Sequence, residues 1–379
     1  MHKVIVLGCG LVGGPMAADL SKDKDFQVTV VDLNNDVLDK LKKTTALNTI
    51  QADLSNQEVV SDLVKDYDIV LSAVPGFMGF QTLKTVIEAE KNVIDIAFFP
   101  EDLFELNDLA VAKDVTTISD IGVAPGMSNI LIGYAANQLD RVKSAEIYVG
   151  GLPKKREWPF EYKAGFSPID VLEEYTRPAR YIEHGKEVIK PALTDPELMD
   201  FDNIGTLEAF NSDGLRSLAK TIDAPYMIEK TLRYPGHIEI MRILRETGFF
   251  NKEMIEVNGT QISPIAFTSK LLFPKWKLEQ GEEDITIMKI IVCGTKGSDE
   301  IKYTWDLFDT YDPVSEVHSM ARTTGYTATM AVRMVASGLY TKKGVSAPEY
   351  VGKESACVDF ILKGLKERGI VYNEKIEKI

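Results

Sequence analysis

The sequence predicts an α/β protein in which a doubly wound parallel sheet is followed by a second, α+β domain with a mixed sheet. The parallel sheet is predicted by short buried runs, such as residues 4–7 and 28–31, which alternate with helical segments as far as residue 118. The mixed sheet is predicted by runs of alternating polarity after residue 144, such as residues 145–149 and 285–292. A chain of 379 residues is long enough for two hydrophobic cores.

The order of the elements follows from the same patterns. Met16, Ala17 and Leu20 lie at helical spacing after the first strand, and Asn35 is a candidate cap for the next helix. The other segments predicted in the first domain are strands at residues 49–53, 68–76, 92–97 and 115–118 and helices at residues 80–90 and 101–112, and a helix at residues 130–139 marks the exit from this domain. Later segments are strands at residues 177–182 and 300–309, a hairpin turn at residues 183–186, and helices at about residues 324–337 and 351–368.

The domain boundaries are expected where the pattern of predicted strands and helices changes. We place the first domain at residues 1–127, with residues from about 312 to 379 packed back onto it. The second domain then occupies about residues 128–311. We expect this domain to bind the substrate, and it contains long strands such as residues 285–292, whose edges and faces need covering.

The composition excludes several classes of partner. The net charge of −14 argues against nucleic acid or an anionic membrane as a partner. The three cysteines, Cys9, Cys293 and Cys357, are scattered and offer neither a disulfide framework nor a zinc spacing. Since the first strand begins at the N-terminus and no apolar run reaches about 20 residues, we expect a cytoplasmic protein without signal peptide or membrane segment.

The glycine motif after the first strand is the strongest functional signal. Gly8, Gly10 and Gly13 form G-x-G-x-x-G between a strand and a helix, and Asp32 ends the next strand nineteen residues after Gly13. In this context Gly8 permits the turn, Gly10 admits a pyrophosphate, and Gly13 lets the helix pack closely on the strand. Alone, the motif would be a loop that needs positive φ; with both strands, the helix and the acid it predicts a Rossmann dinucleotide site.

Other cofactor contacts are expected around this motif. Leu11 and Val12 lie between the glycines, and Ala73, Val74 and Pro75 end a buried strand at the carboxyl edge of the sheet. Asp53 and Leu54 stand where an adenine ring rests in this fold, although Asp53 is equally a candidate helix cap. Because Asp32 accepts hydrogen bonds from a ribose 2′-hydroxyl and repels a 2′-phosphate, and residues 33–35 contain no Arg or Lys, NAD is favoured over NADP.

Several further stretches carry a family resemblance. These are the Gly8 turn and the stretches at residues 122–129, 205–210, 231–237 and 320–326. Together they resemble the saccharopine dehydrogenase-like family, and Thr-Leu-Arg-Tyr-Pro-Gly-His at residues 231–237 is the most specific piece. The resemblance implies hydride exchange between a nicotinamide and a C–N bond at the ε-carbon of lysine. It also implies a symmetric homodimer, or a dimer of dimers, joined through the second domain.

Two positions depart from the saccharopine-forming branch of that family. That branch has Asp and Arg where this sequence has Ala124 and Ile169, and both of those residues meet the glutarate arm of saccharopine. The sequence therefore looks closer to the lysine 6-dehydrogenase branch, whose cofactor is NAD. Saccharopine or a related opine remains the alternative substrate, and an NAD-binding protein without catalysis remains a rival of another class.

Candidate substrate and catalytic residues follow from what amine oxidation requires. Arg233 and Arg216 are candidates to bind an α-carboxylate, because a guanidinium matches it bidentately; the alternative for each is a salt bridge. His237 follows a Pro-Gly turn and is a candidate proton shuttle, or else a capping or core histidine. Lys163 is a candidate base if burial lowers its pKa, although most lysines are solvated.

The remaining candidates lie at strand and helix ends. Asp95 and Asp120 end strands at the carboxyl edge, where either is a candidate to bind an ammonium or position the nicotinamide, or to cap a helix. Thr323 and Thr324 are predicted to open the long C-terminal helix, with its N–H groups toward the cofactor or with a threonine as its cap.

Overall fold

The computed structural model describes residues 1–279 and 281–379. The chain forms two compact units, Met1–Asp140 with Met320–Val371, and Arg141–Ser319 with Tyr372–Ile379. This division differs from the expected boundaries at three places. Residues 128–140 belong to the first unit, whereas residues 312–319 and the last eight residues belong to the second. Within the described residues, no helix combines the length and apolar character needed to cross a membrane.

The first unit begins with an alternation of strands and helices. Its elements as far as residue 138 are β1 His2–Leu7, α1 Gly13–Leu20, β2 Phe26–Asp32, α2 Asn35–Lys42, β3 Asn48–Gln51, α3 Gln57–Val64, β4 Ile69–Ser72, α4 Gly76–Glu88, β5 Asn92–Asp95, a 3₁₀ turn Leu103–Leu106, α5 Asn107–Ala112, β6 Thr116–Ile118 and α6 Met127–Gln138. The predicted strands and helices are all present, but the caps differ by one residue or more. Asn34 rather than Asn35 accepts from the N–H of Asp36 and caps α2.

The second unit is built on a large mixed sheet. Its elements are β7 Arg141–Pro153, α7 Pro168–Thr176, β8 Ala179–Glu183, β9 Lys186–Lys190, β10 Glu197–Phe201, β11 Gly205–Asn211, α8 Leu218–Thr221, β12 Tyr226–Arg233, α9 His237–Glu246, β13 Ile255–Val257, β14 Thr260–Ile262, α10 Pro264–Trp276, β15 Asp284–Lys296 and β16 Asp299–Thr310. The hairpin predicted at residues 183–186 is confirmed by the pairing of β8 with β9.

The chain then returns to the first unit and ends in the second. These last elements are α11 Ser319–Ala336, β17 Gly344–Ser346, α12 Pro348–Gly352, α13 Ser355–Glu367 and β18 Tyr372–Lys378. The single helix predicted at residues 351–368 is two helices, and β18 was not predicted. β18 carries four charged residues in a seven-residue strand, a pattern typical of an edge strand.

The first sheet is fully parallel and has the doubly wound order. Its strands lie in the order β17-β6-β5-β4-β1-β2-β3. The order reverses at β1, so the crevice beyond the carboxyl ends of β1 and β4 is the expected ligand site of such a sheet. Residues 4–7 of β1 and 69–71 of β4 are all apolar and buried, as expected for strands covered on both faces.

The C-terminal segment that returns to the first unit adds strand β17 to this sheet and packs against helix α1. β17 pairs in parallel with β6, and Gly325 on α11 lies so close to α1 that a Cβ there would stand 2.7 Å from Cγ of Met16. Asp19 on α1 is buried and binds Nη1 of Arg333 at 2.7 Å and Nε of Arg368 at 2.8 Å. Burial alone would raise the pKa of Asp19, but these two guanidinium groups hold it below its ordinary value.

The second sheet has β15 in its interior. The strand order is β10-β11-β12-β7-β15-β16-β18, with β8 also paired to β12, and the β12–β7 pair is parallel. The edges of residues 285–292 are covered within the sheet itself, because β7 and β16 pair with both edges of β15. One face of the unit carries an aromatic core that contains Tyr162, Tyr175, Phe210 and Trp276.

Candidate dinucleotide site and substrate residues

The loop between β1 and α1 is too tight for side chains at two of its glycines. Gly8 has φ +103°, and a Cβ there would lie 2.7 Å from the carbonyl oxygen of Ala73. A Cβ at Gly13 would lie 2.2 Å from the carbonyl oxygen of Gly8. These contacts give the two roles predicted for Gly8 and Gly13 a physical basis: one makes the turn beside β4, and the other lets α1 start directly against it.

Gly10 is different, because its surroundings are open. A Cβ built on Gly10 meets no atom within 4 Å. The first turn of α1 begins just beyond it, where Gly14 N–H already bonds the carbonyl of Gly10 at 3.1 Å. The N–H groups of the residues before Gly14 have no carbonyl four residues upstream inside the helix. An open backbone face at a helix N-terminus fits the pyrophosphate of a dinucleotide.

Asp32 is held against this loop by the backbone. Its Oδ2 accepts a hydrogen bond from the N–H of Cys9 at 2.7 Å, and its Oδ1 accepts from the N–H of Asn34 at 2.8 Å. Each carboxylate oxygen has a second acceptor position, so the side chain is fixed and still able to bind a ribose diol. Burial, with Asp32 as the next cause, raises the pKa of the Cys9 thiol to about 11, so this thiol stays protonated near neutral pH.

The carboxyl edge of β4, β5 and β6 carries buried polar side chains. Ser72 pairs in register with Asp95, and Ser119 follows the next strand. Ser72, Asp95 and Ser119 are fully buried, and the hydroxyls of the two serines have no hydrogen-bond partner within the described residues. Buried hydroxyls without partners are rare in folded proteins. They mark this edge, directly before Ala73, Val74 and Pro75, as a place where a polar group of a ligand fits.

Asp120 and Arg216 share an unusual backbone conformation. Both are buried, and both have positive φ, +59° and +52°. Such a conformation costs of order 1–3 kcal/mol in a residue with a side chain and is concentrated at functional sites. Pattern and spacing gave no sign of this strain, so the structure adds an independent reason to retain both residues as candidates.

Asp53 does not cap a helix. Its Oδ1 accepts from the N–H and the hydroxyl of Ser55, and it is Asn56 that caps α3. The side chain of Leu54 is buried in the core of the first unit. The cap interpretation of Asp53 is therefore wrong, and contact of this segment with adenine stays a prediction.

Thr323 and Thr324 do not open the long helix. α11 begins at Ser319, so both threonines lie in its second turn, and neither caps it. Their N–H groups are spent on the i→i−4 bonds of the helix. Thr327 Oγ1 donates back to the carbonyl of Thr323 at 2.8 Å, which is a further bond inside the helix. The prediction that these threonines open the helix is wrong, and contact of Thr324 with a cofactor stays a prediction.

In the second unit, Arg233 lies inside the aromatic core. Its Nη2 binds Oε2 of Glu174 at 2.7 Å, its Nε donates to the hydroxyl of Tyr175 at 3.2 Å, and its guanidinium lies 4.5 Å from the ring centroid of Tyr162. Burial alone would lower the pKa of Arg233, but Tyr175, Tyr162 and Glu174 raise it, so the group stays charged. The salt-bridge alternative is thus the one this geometry supports.

His237 extends the same network. It is the first residue of α9, its Nδ1 lies 2.8 Å from the carbonyl oxygen of Phe160, and its Nε2 lies 2.9 Å from the hydroxyl of Tyr175. Since a carbonyl only accepts, Nδ1 carries the proton and Nε2 accepts from Tyr175. Burial, with Arg233 as the second cause, lowers the pKa of His237 to about 3. A neutral ring with both nitrogens engaged is a core histidine, the alternative weighed above.

Lys163 lies at the edge of a cavity in the second unit. Its Nζ donates to the carbonyl of Lys277 at 3.1 Å and pairs with Glu282 at 3.4 Å. The cavity has a volume of about 470 Å³ and is lined by charges of both signs, among them Lys154 and Glu283. The role of Lys163 as a base stays a prediction.

The loop that carries Arg216 donates hydrogen bonds to a buried acid on a neighbouring strand. Glu229 on β12 accepts from the hydroxyl of Ser212 at 2.7 Å and from the N–H of Gly214 at 3.1 Å. Burial raises the pKa of Glu229 to about 8. Asp213 in the same loop binds Arg180 through both of its oxygens at 2.8 Å.

Within the described residues, no group of three or more His, Cys, Asp or Glu side chains suits a metal ion.

A doubly wound parallel sheet with this glycine loop defines a dinucleotide-binding protein, and comparison with known proteins gives its family. Residues 4–118 match the saccharopine dehydrogenase NADP binding domain, and residues 122–370 match the saccharopine dehydrogenase C-terminal domain. Because the second match alone covers more than half of the chain, this chain belongs to the saccharopine dehydrogenase family. The resemblance inferred from the motifs is confirmed.

Individual relatives are distant. The mitochondrial alpha-aminoadipic semialdehyde synthase of Mus musculus is 27% identical over 71% of this chain, which corresponds to 31% of that protein. The chain thus spans about a third of the synthases that it matches. The saccharopine dehydrogenase [NADP(+), L-glutamate-forming] of Pyricularia oryzae is 24% identical and is matched over 99% of both chains.

A solved structure shares the fold. The apo saccharopine dehydrogenase (L-Glu forming) of Saccharomyces cerevisiae matches over all of both chains with a TM-score of 0.78 and 21% identity. At this identity the match confirms the predicted fold class, the parallel sheet together with the mixed-sheet unit, and leaves the substrate to chemical argument.

Proposed function

We propose that this protein is an NAD-dependent oxidoreductase that acts on the bond between nitrogen and the ε-carbon of a lysine-type amino acid. The observation that carries the proposal is the open glycine loop with Asp32 fixed beside it, in a chain of the saccharopine dehydrogenase family. NAD, when bound, supplies the acceptor for the hydride. The amine becomes an imine, which water hydrolyses to an aldehyde and a free amine.

The chain's own residues contribute binding and orientation. The backbone around Gly10 and the start of α1 hold the pyrophosphate, and Asp32 holds the adenosine ribose. The buried edge at Ser72 and Ser119 offers hydroxyls to a polar group of the bound molecule. Asp95 and Asp120 remain the candidates to hold an ammonium group, because both are buried at this edge of the first unit.

NAD is preferred because of the second strand's end. Asp32 repels a 2′-phosphate, and Leu33 beside it is exposed and offers no cation. The family profile and the fungal relative are both named for NADP, so this chain departs from them in its cofactor. We expect Asp32→Ser combined with Leu33→Arg to invert the preference, measured as Kd for NAD and NADP by calorimetry. Equal affinity of the natural protein for both cofactors contradicts the assignment, and Leu33→Arg alone is the matched control.

Saccharopine is the first candidate substrate. It is the substrate named for the relative that matches over both full lengths. In saccharopine the nitrogen bonded to the ε-carbon of lysine also carries a glutarate arm, so its oxidation and hydrolysis release an amino acid and an aldehyde.

Lysine is the second candidate, and Ala124 and Ile169 favour it. Neither position offers a charge, because both side chains are apolar. Ala124 is only partly buried, and Ile169 packs against the aromatic core of the second unit. An unpaired carboxylate buried at an apolar position costs several kcal/mol. A primary amine without that arm avoids this cost and releases ammonia.

One assay separates the candidates. NADH formation is followed with NAD and with saccharopine, L-lysine, other amino acids or polyamines, and the released ammonia or amino acid is identified. Rates rise toward alkaline pH for lysine, because a free ε-amine has a pKa of about 10.4 and only its neutral form is oxidised. Inertness toward the whole panel with tight NAD binding would favour a non-catalytic NAD-binding protein.

A further inference from the structure

The loop that follows strand β6 is closed tightly at the start of helix α6. Gly126, the last residue before α6, has φ +134°, and a Cβ there would lie 2.1 Å from the carbonyl oxygen of Gly122. The N–H of Gly122 donates to the carbonyl of Pro125 at 3.0 Å, and the N–H of Met127 donates to the carbonyl of Gly122 at 2.9 Å. Because the loop is short and closed, a shift at its end also moves Asp120 at its start.

Asn129 holds the end of this loop with its side chain. It is the third residue of α6, and its Oδ1 accepts from the N–H of Gly126 at 3.4 Å and from the hydroxyl of Ser128 at 3.0 Å. Asn129 and Ser128 are both fully buried. An asparagine amide has an acceptor on one side and donors on the other, so Asn129 supports the loop in only one of its two orientations.

Glu349, which lies 220 residues further along the chain, fixes that orientation. Its Oε2 accepts from Nδ2 of Asn129 at 3.3 Å, and its side chain is fully buried. Since an ionised carboxylate only accepts, it faces the NH₂ group of Asn129 and leaves Oδ1 for the loop. An Asn129 amide turned by half a rotation would set two buried acceptors against each other, which is costly.

The position of Glu349 is set by close packing of α12 on α6. A Cβ on Gly133 of α6 would lie 2.3 Å from the carbonyl oxygen of Glu349, and a Cβ on Gly352 of α12 would lie 2.1 Å from the carbonyl oxygen of Ile130. Backbones approach this closely only where glycine removes the side chain. Strand β17, just before α12, pairs in parallel with β6. Glu349 is therefore carried on a fixed support beside the strand from which the loop starts.

We propose that Glu349 is a positioning residue, which orients the Asn129 amide and through it holds the loop that presents Asp120 and Ala124 at the carboxyl edge of the first sheet. The inference rests on the proposed function, because Asp120 is a candidate to hold an ammonium group of the substrate and Ala124 departs from the saccharopine-forming branch. The dinucleotide is held by other elements, the glycine loop and Asp32, so loss of this support affects the amine and not NAD.

Hydrogen exchange tests the support without any turnover. Glu349→Leu removes the acceptor, and we expect amide exchange in a peptide of residues 119–128 to become about three- to tenfold faster, with peptides of β1 and β2 unchanged. Glu349→Gln keeps an acceptor, and its loop is expected to exchange at the natural rate. Glu354→Leu is the matched control, because Glu354 is an exposed acid just after the same helix. A natural rate in Glu349→Leu, or an equal increase in Glu349→Gln or in the control, overturns the proposal.

A donor–acceptor exchange tests the pair itself and does not depend on the leucine variant. Asn129→Asp sets two carboxylates against each other, and we expect it to speed loop exchange at least as much as Glu349→Leu. Adding Glu349→Gln places a donor opposite the new carboxylate, whose other oxygen again accepts from the loop. The double variant has the net charge of the natural pair, and its exchange rate is expected to return toward the natural value. A double variant whose loop exchanges as fast as that of Asn129→Asp overturns the pairing.

Kinetics separates positioning from a purely structural role. With the amine substrate that is found active, we expect Glu349→Leu to lower kcat/KM about ten- to a hundredfold while the Kd for NAD stays within about twofold, and Glu349→Gln to restore kcat/KM. An unchanged kcat/KM together with faster loop exchange overturns the role of Glu349 in the reaction. A protein that is inert toward every amine fails the proposed function instead, and the exchange pattern still decides whether Glu349 holds the loop.

Discussion

The glycine loop of the first unit and the Arg233 network of the second are both rich in polar groups, but one is open and the other sealed. In the loop, backbone N–H groups and a bare Cα at Gly10 face free space. In the network, the charged and hydrogen-bonding groups of Arg233, His237, Tyr175 and Glu174 are satisfied by one another. Donors that are still available for hydrogen bonds can bind a ligand. Donors that already bond to neighbouring side chains stabilise the unit in which they lie.

The largest expected effect is therefore on stability and comes from Arg233. Arg233→Ala removes a buried guanidinium and leaves the partly buried Glu174 without its partner, and breaking a largely buried pair of this kind costs about 3–5 kcal/mol. We expect the free energy of unfolding from urea titrations to fall by that amount. Arg242→Ala on the same unit is the control, because Arg242 is exposed and pairs with Glu239 only at 3.6 Å; its effect is expected within about 0.5 kcal/mol. An Arg233 variant that keeps full stability and loses only substrate affinity would instead make this residue a carboxylate anchor.

The second effect divides the glycine loop itself. Gly13→Ala forces a carbon to 2.2 Å from the Gly8 carbonyl, so we expect it to lower the free energy of unfolding by about 1–3 kcal/mol. Gly10→Ala has room in the protein, and its methyl group instead stands where the pyrophosphate approaches. It is expected to leave the unfolding midpoint unchanged and to weaken NAD binding about tenfold or more. Equal effects of the two substitutions on stability would show that the loop is not open at Gly10.

The third effect is a pH dependence of stability, which tests the protonation states of buried groups in the second unit. His237, with its folded pKa lowered from 6.5 to about 3, stays neutral while the unfolded chain gains a proton, so its contribution falls as pH drops below 6.5. Glu229, with its folded pKa raised from 4.5 to about 8, keeps its proton while the unfolded chain loses one, so its contribution falls as pH rises above 4.5. Each changes stability by about 1.4 kcal/mol per pH unit inside its own window.

Between pH 4.5 and 6.5 these two slopes oppose each other. We expect Glu229→Gln, which mimics the protonated acid, to remove one of them. The free energy of unfolding of the variant should then rise with pH through that window by about 1.4 kcal/mol per unit, whereas the natural protein stays nearly flat there and loses stability from pH 6.5 toward 8. Superimposable pH profiles would contradict a protonated Glu229.

The fold of the first unit could be predicted because its signals are local. Residues 4–7, the glycine motif and Asp32 lie within one strand–helix–strand unit, so the roles of Gly8 and Gly13 depend on near neighbours in sequence. β18 could not be predicted in the same way, since its partner strand β16 lies more than sixty residues earlier, as in the pair Tyr303 and Ile376. A highly charged strand shows no buried face from its own sequence.

Some features of the candidate site could be predicted from the sequence and others could not, for the same reason. Arg233 and His237 were chosen by residue type and by their place near a Pro-Gly turn, and nothing local showed that Tyr175, Glu174 and Phe160 would occupy their donors. The start of α11 at Ser319 differs from the predicted start because Ser319, Thr323 and Thr324 are all residue types that favour a helix N-terminus, and nothing local distinguishes them. The orphaned hydroxyls of Ser72 and Ser119 gave no sequence signal, because serine at a strand end is ordinary.

The return of the C-terminal segment to the first sheet has a consequence for biosynthesis. Asp19 is translated early, but its partners Arg333 and Arg368, and the sheet strand β17, follow the whole second unit. At about 5–20 residues per second, a ribosome needs roughly 15–60 s to make the stretch from Asp19 to Arg333. Throughout that interval the nascent dinucleotide domain lacks an edge strand and carries an uncompensated carboxylate on its first helix, so ribosome-associated chaperones should engage it until the last helices emerge.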